Sequence, residues 1–291
     1  MPTIAMPELP EVETIARGLR AALAGRRILS VRFGKTDFID DPAAIEQQVP
    51  GARFSAVRRH GKFLLLDLDS ADRSARNFSL LIHLGMTGRL VTCEATAPLA
   101  PHTHVCFKLD DGRELRYSDI RRFGRIRLLP YDLQENGLGS LGLDPLETSE
   151  VQFVALLRDR RARIKSLLLD QHVLRGIGNI YADEGLWRAR IHPMRLGANL
   201  TSDELHRLYR AVRAVLNEAI ELRGSSIADY VDSNGNLGGF QRKHRVYQRE
   251  GRKCFRCGTR IRRTVVAGRG SHFCPRCQHA PRPRRRSLLF R

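Results

Sequence analysis

Val12, Ile15, Leu19 and Leu23 recur at spacings of three and four within residues 11–25. That is the period of one apolar helix face, so the segment is expected to form an amphipathic helix. Pro10 precedes its first turn, Glu11 and Glu13 suit its positive end, and Gly25 suits its stop. The pattern then shortens. Ile28–Phe33, Phe54–Arg59, Phe63–Leu68, Ser79–His83, His104–Leu109, Glu114–Tyr117 and Ile126–Pro130 are brief apolar or alternating runs. Turn signals such as Asp110-Asp111-Gly112 separate them, as expected of strands. Beyond about residue 145 helical periodicity returns over 149–160, 163–171, 180–190 and 202–222. Thr201-Ser202 suits the cap of the last helix, and Gly224 its stop. A β-rich N-terminal domain followed by a helical domain is the expected α+β order. The Gly- and Asn-rich residues 232–243 are expected to be a mobile loop, and the Arg- and Pro-rich residues 281–291 a basic disordered tail.

Composition narrows the class. The chain has 291 residues and a formal net charge of +19. At roughly 100–200 residues per domain, two domains and a small module fit that length. So large a positive charge implies counterion release on binding a polyphosphate, and a steep salt dependence. A basic protein whose charge only tunes solubility is the plain alternative. No apolar run approaches about 18 residues, which argues against a membrane span. The N-terminus lacks a secretory pattern.

Four of the six cysteines form two C-x-x-C pairs, Cys254/Cys257 and Cys274/Cys277, at metal-site spacing. Four thiolates complete a closed tetrahedral shell, which implies one structural Zn2+ and no open position for a catalytic water. Such use of cysteine suits a reducing cytosol better than a disulfide scaffold. The surrounding segment is arginine-rich, and Arg269 between Gly268 and Gly270 suggests a hairpin tip that approaches something closely.

Pro7-Glu8 opens the segment PELPEVET. If the chain starts at Pro7 after removal of Met6, its nitrogen is a free secondary amine. An α-amino group titrates at about 7.7–8.0, against about 10.4 for lysine, so a useful fraction of it is unprotonated near neutrality. Attack on C1′ of a deoxyribose expels the base and leaves an iminium, with Glu8 as acid or base toward the sugar. The same segment also reads as a proline-capped helix start. Arg121-Arg122-Phe123-Gly124 fits a wedge that fills the stack when a base is turned out, or a β-turn with a solvated basic face. Lys62 fits an amine catalyst or a solvated strand end. Gly176-Ile177-Gly178-Asn179 fits an anion-binding helix start or a plain helix–helix turn.

Taken together, PELPEVET (7–14), RRHGKFLLLDL (58–68), IHLGMTGRL (82–90), LRYSDIRRFG (115–124), GIGNIYADEGLWRARIHP (176–193) and the four cysteines resemble the formamidopyrimidine-DNA glycosylase family of bacterial repair enzymes. The resemblance implies an N-terminal β-sandwich or barrel domain with flanking helices (1–145), a helix-two-turns-helix DNA-binding domain (146–240), a zinc-finger β-hairpin (244–280) and the tail (281–291). It implies a bifunctional enzyme that excises 8-oxoguanine and formamidopyrimidines through a Schiff base, then nicks the abasic strand by β,δ-elimination. By resemblance Pro7 is the nucleophile, Glu8 the proton donor, Lys62 the lysine of β-elimination and Arg269 the arginine of δ-elimination. Met86 and Phe123 fill the gap, Arg121 reads the orphaned cytosine, and Arg122, His102, Arg160, Lys165 and Asn179 contact DNA. The implied partner is double-stranded DNA with oxidised bases, bound by a monomer in the bacterial cytoplasm with no membrane association.

Two departures stand out. Met1–Ala5 precedes the motif, and a proline nitrogen inside a peptide bond is an amide; Met6 as the start, or removal of the extension, is the expectation. Ile120 stands where many relatives have proline. Competing functions are a sister enzyme resembling endonuclease VIII that prefers oxidised pyrimidines, a non-catalytic binder of damaged DNA, and a zinc-ribbon transcription factor.

Overall fold

The structure is a computed structural model that describes residues 6–72, 76–130, 138, 141–227 and 229–280. The extension Met1–Ala5 and the tail 281–291 lie outside the described residues. Helix α1 (Leu9–Leu23) starts at Glu8, with Pro10 in its first turn, and buries Leu9, Val12, Ile15, Ala16, Leu19 and Leu23. After β1 (Ile28–Phe33), a short helix α2 (Pro42–Gln48) is capped by Asp41, whose carboxylate accepts from Ala44 N at 2.9 Å. Strands β2 (Arg53–His60), β3 (Phe63–Asp69), β4 (Phe78–His83), β5 (Gly88–Glu94), β6 (Thr103–Leu109), β7 (Arg113–Asp119) and β8 (Arg125–Pro130) follow.

These strands form two antiparallel four-stranded sheets, ordered β1-β6-β7-β5 and β2-β3-β4-β8. Side chains alternate across each strand. Leu64, Leu66, Leu80 and Ile82 therefore meet Val105, Phe107, Leu115 and the apolar face of α1 in one core, while Leu65, Leu81 and Leu129 line the opposite face. The β-sandwich is as expected. Sequence pattern missed α2, which buries only Ile45, and β5, which begins on a glycine and fully buries only Gly88 and Leu90.

Helices α3 (Glu150–Leu157), α4 (Ile164–Leu169), α5 (Asn179–Ala189) and α6 (Ser202–Glu221) precede the hairpin β9 (Arg262–Val266) and β10 (Arg269–Phe273). The chain divides into two compact units. One holds residues 1–147, 171–178 and 216–243; the other holds 148–170, 179–215 and 244–291. This division cuts across the domain ranges expected from sequence. Residues 171–178 join the sandwich unit because Leu174 bridges Leu143 and Gly176 O accepts from Leu9 N at 3.0 Å. The zinc module clusters with helices α3 to α5.

The loop expected to be mobile is instead tied down. Asp232 and Ser233 are buried. The Asp232 carboxylate accepts from the backbone N–H groups of Asn234 (3.0 Å) and Asn236 (2.9 Å), and Thr92 N donates to Ser233 O at 2.9 Å. Among the described residues no helix is long and apolar enough to cross a membrane.

Candidate active site and nucleic-acid interface

Pro7 and Glu8 are buried at the N-terminus of α1. Glu8 and Glu11 form a reciprocal capping box, with Glu8 N donating to Glu11 Oε2 at 2.9 Å. The other Glu11 oxygen accepts from Ser225 N at 2.7 Å, so one buried carboxylate ties the helix start to the segment after α6. Sequence reading gave Glu11 only a dipole role; its place three residues after Glu8 was the available signal.

The 176–179 turn presses against this same start. A Cβ at Gly178 would lie 2.2 Å from Glu8 Cδ, and one at Gly176 2.9 Å from the Leu9 side chain. Gly176 also has φ +95°, a conformation costly for L side chains. The Gln171 amide braces the turn, accepting from Gly176 N at 2.8 Å and donating to Ile177 O at 2.9 Å. These glycines make room for a carboxyl group beside the proline.

Lys62 sits in the turn between β2 and β3, after Gly61 at φ +61°. Its neighbour Phe63 pairs with His83 across the β3–β4 ladder. Burial pushes the His83 imidazole down to about 4, and the charges of Lys62 and Arg125 push the same way. His83 is therefore neutral, and its Nδ1 accepts from Gly85 N at 3.2 Å. Behind this edge Arg59 bridges Glu13 (3.0 Å) and Asp144 (2.7 Å). Burial alone would raise the Glu13 carboxyl; hydrogen bonding from Arg17 and the charge of Arg59 hold it below its usual range.

The residues expected to form a wedge converge. The Arg121 guanidinium lies 4.8 Å from the Phe123 ring centroid and donates to Met86 Sδ at 3.7 Å. Phe123 is 54% exposed. Asp119 organises the loop and was missed by sequence reading. Fully buried, it accepts from Arg121 N (3.2 Å), Gly124 N (2.9 Å), Tyr117 OH (3.2 Å) and the Thr87 hydroxyl. A Cβ at Gly124 would overlap the Tyr117 hydroxyl at 1.8 Å. Ile120 is 52% exposed and bears none of these contacts. Arg122, at φ +53°, pairs with Asp37 at 3.0 Å. His102 is exposed at φ +61°, and its backbone O accepts from Asp119 N at 3.1 Å.

In the second unit, Arg160 is exposed on the loop before α4, and its O accepts from Ala198 N at 2.8 Å. Asn179 is the first residue of α5. Its Oδ1 is buried with no hydrogen-bond partner among the described residues, an orphaned polar atom at a helix N-terminus.

Lys165 corrects an expectation. Its side chain is 0% exposed, so it does not reach DNA directly. Its ammonium lies 2.6 Å from Asp183 Oδ1 and donates to Ser271 Oγ (2.8 Å) and Gly270 O (3.1 Å). The other Asp183 oxygen accepts from His272 N at 2.8 Å. The next residue, Glu184, accepts from the backbone N–H groups of Arg245, Val246 and Tyr247, each at 2.9 Å. Asp183 of α5 and Lys165 of α4 thus fasten strand β10 of the hairpin, while Glu184 fastens the 245–247 segment. Sequence reading could not separate a solvated lysine from a buried one.

The Sγ atoms of Cys254, Cys257, Cys274 and Cys277 all lie within 4.8 Å of one another. Backbone N–H groups of Arg256 and Cys277 point at Cys254 Sγ and Cys274 Sγ, each at 3.4 Å. Four converging sulfurs with amide donors fit one tetrahedral zinc. The hairpin turns through Ala267 (φ +48°) and Gly268 (φ +68°), and the exposed Arg269 opens β10 directly after it.

Comparisons with known proteins agree with this geometry. Residues 6–126 match the model of the formamidopyrimidine-DNA glycosylase N-terminal domain, 141–231 that of its H2TH domain, and 251–280 that of the zinc finger found in FPG and IleRS. The chain is 46% identical over 279 residues to formamidopyrimidine-DNA glycosylase of Pelotomaculum thermopropionicum, covering 94% of this chain and 99% of that one. It is 46% identical over 282 residues to that of Desulforamulus reducens, covering 94% and 100%. Among solved structures, Lactococcus lactis Fpg in complex with abasic-site DNA matches with a TM-score of 0.85 at 34% identity, over 94% of this chain and 100% of that one. A complex of MutM with carbocyclic 8-oxo-G DNA matches at 0.84, with the same identity and coverage.

Proposed function

Because this chain belongs to the formamidopyrimidine-DNA glycosylase family, we propose how its own residues carry out that family's chemistry. The chain is a base-excision repair enzyme for oxidised purines, both a glycosylase and an abasic-site lyase. Its partner is lesion-bearing double-stranded DNA, acted on in the bacterial cytoplasm by a monomer.

The lesion base leaves the stack at the Met86, Arg121 and Phe123 wedge. The ring and thioether fill the gap, and the Arg121 guanidinium hydrogen-bonds the orphaned cytosine. Pro7 N attacks C1′, the glycosidic bond breaks, and the base departs with its electron pair. Glu8 protonates the opening sugar, and the product is an iminium on Pro7. Lys62 assists loss of the 3′ phosphate by β-elimination, and Arg269 assists δ-elimination. His102, Arg122, Arg160 and Asn179 hold backbone phosphates. Lys165 places Arg269 without touching DNA. Zinc, held by the four thiolates, supplies a structural cross-link for the hairpin.

One observation carries this reading most directly. The Glu8 carboxyl is held against Gly178, next to Pro7, at a buried helix start. The chemistry also requires Pro7 as a free secondary amine, hence a working enzyme without residues 1–6; intact mass of the active protein reports this. Borohydride trapping on 8-oxoguanine:cytosine duplex tests the mechanism. A covalent adduct is expected from protein beginning at Pro7, and none from Pro7→Gly or from protein retaining Met1–Ala5. Adduct from the extended protein overturns the mechanism, and preferential trapping on thymine-glycol duplex reverses the substrate class.

A further inference from the structure

Phe255 stands between two zinc ligands, in Cys254-Phe255-Arg256-Cys257. Its ring is 60% exposed. The Arg249 guanidinium lies 4.0 Å from the ring centroid and that of Arg245 4.8 Å. Arg252 and Lys253 are exposed beside them. Among the described residues no acidic side chain comes within ion-pair distance of any of these cations. Glu184 approaches, but its oxygens accept from backbone N–H groups. Arg249 Nε is buried with no hydrogen-bond partner among the described residues. Arg249 Nη2 donates to Lys253 O at 3.2 Å, and Arg256 likewise lies over the Trp187 ring at 4.1 Å and donates to Trp187 O at 3.2 Å.

We propose that this Phe255 face is a docking surface for an acidic protein segment that carries an apolar side chain. Guanidinium groups with no carboxylate partner, set around an exposed ring, match such a segment in both charge and polarity, and arginine and aromatic residues dominate the energetics of protein interfaces. A phosphate rail would use the charges but leave the ring without a partner. Register points the same way, given the role proposed for Arg269. Arg269 opens β10, and Cys274 follows its end. At about 3.3 Å per residue the cysteine end lies roughly 16 Å along the hairpin from the turn. DNA engaged through the turn therefore leaves the knuckle uncovered. The chain's own residues 281–291 are strongly basic, so like charge excludes them as occupant.

The test uses the full zinc-loaded chain and two fluorescein-labelled peptides: six glutamates followed by leucine and phenylalanine, and six glutamates followed by two serines. Anisotropy should show the first binding at least about tenfold tighter, the scale of one hot-spot contact. Phe255→Ser and Arg249→Ala should each remove that preference, and Arg269→Ala should keep it. Saturating lesion duplex should not displace the peptide. Equal affinity for the two peptides overturns the proposal, and stoichiometric displacement by duplex assigns the face to nucleic acid instead. Amide shifts in the unaltered protein provide a readout independent of any variant's folding. Peptide-induced shifts confined to residues 245–256 support the proposal, and shifts centred on Arg269 overturn it. Phe255→Ser should keep parent-level borohydride trapping, which separates failure here from failure of the catalytic reading.

Discussion

The sandwich unit and the zinc module differ in how their arginines are paired. In the sandwich unit Arg17, Arg32, Arg58, Arg59, Arg113 and Arg116 each lie within 3.0 Å of a carboxylate. Each is offset by its carboxylate, although Arg17, Arg32 and Arg58 stay exposed. Arg121 is different, resting on the Phe123 ring and the Met86 thioether. In the helical and zinc unit Arg195 pairs with Glu204 and the fully buried Lys165 with Asp183, but Arg245, Arg249, Arg252, Arg260 and Arg269 of the zinc module meet no acidic side chain among the described residues. A net charge of +19 therefore does not report where a polyanion will bind; pairing does.

The comparison breaks most visibly at Lys165. Lys165→Met leaves the Asp183 carboxylate buried and uncompensated, at a cost of about 3–5 kcal/mol. Urea unfolding and zinc-release rates should both show it, and the nicked product should shift from δ- toward β-elimination as Arg269 loses its support. Zinc release at the parent rate would mean that the clamp does not hold the hairpin. Asp119→Asn is next, since an amide cannot replace all four acceptor contacts. It should cost about 1–3 kcal/mol of loop organisation, read as loss of discrimination for cytosine opposite the lesion, with cleavage of a preformed abasic site less affected. Equal losses in both assays would deny Asp119 a wedge-specific role.

Acid should weaken both units together. His60 and His83 in one, and His192 and His244 in the other, are each pushed down to about 4, chiefly by burial. An unfolded histidine titrates near 6.5, so below that value the unfolded chain binds more protons than the folded one. Their contribution is complete above about pH 6.5 and is lost as pH falls toward 4. Thermal unfolding across that window checks it; a flat Tm contradicts the burial of neutral imidazoles. The smallest effect concerns salt. Arg160→Gln should reduce the slope of log affinity against log salt by about one, whereas Arg32→Gln, which removes the cation paired with Glu114 at 3.0 Å, should leave it unchanged.

Much of this was legible in the chain. The period of α1, most of the sandwich strands, the cysteine pairs and Pro7-Glu8 all carry local signals. What escaped depends on distant partners. Ser225 donates to Glu11 across 214 residues, and Arg121 donates to Met86 across 35. No window shows that Asp119 is an acceptor hub or that Lys165 is buried; both depend on which strands and helices come together. Helix α2 was missed for the opposite reason, because one buried isoleucine leaves no period to read.

The contact between Gly178 and Glu8 has a practical corollary. Gly178 is not among the positive-φ glycines, and the three atoms nearest a methyl group there all belong to the Glu8 side chain, the acid of the proposed chemistry. Gly178→Ala, with its wedge and zinc hairpin intact, is thus a design for a silenced reagent: one that settles on oxidised guanine, leaves the strand whole, and can be used to chart such damage along a genome.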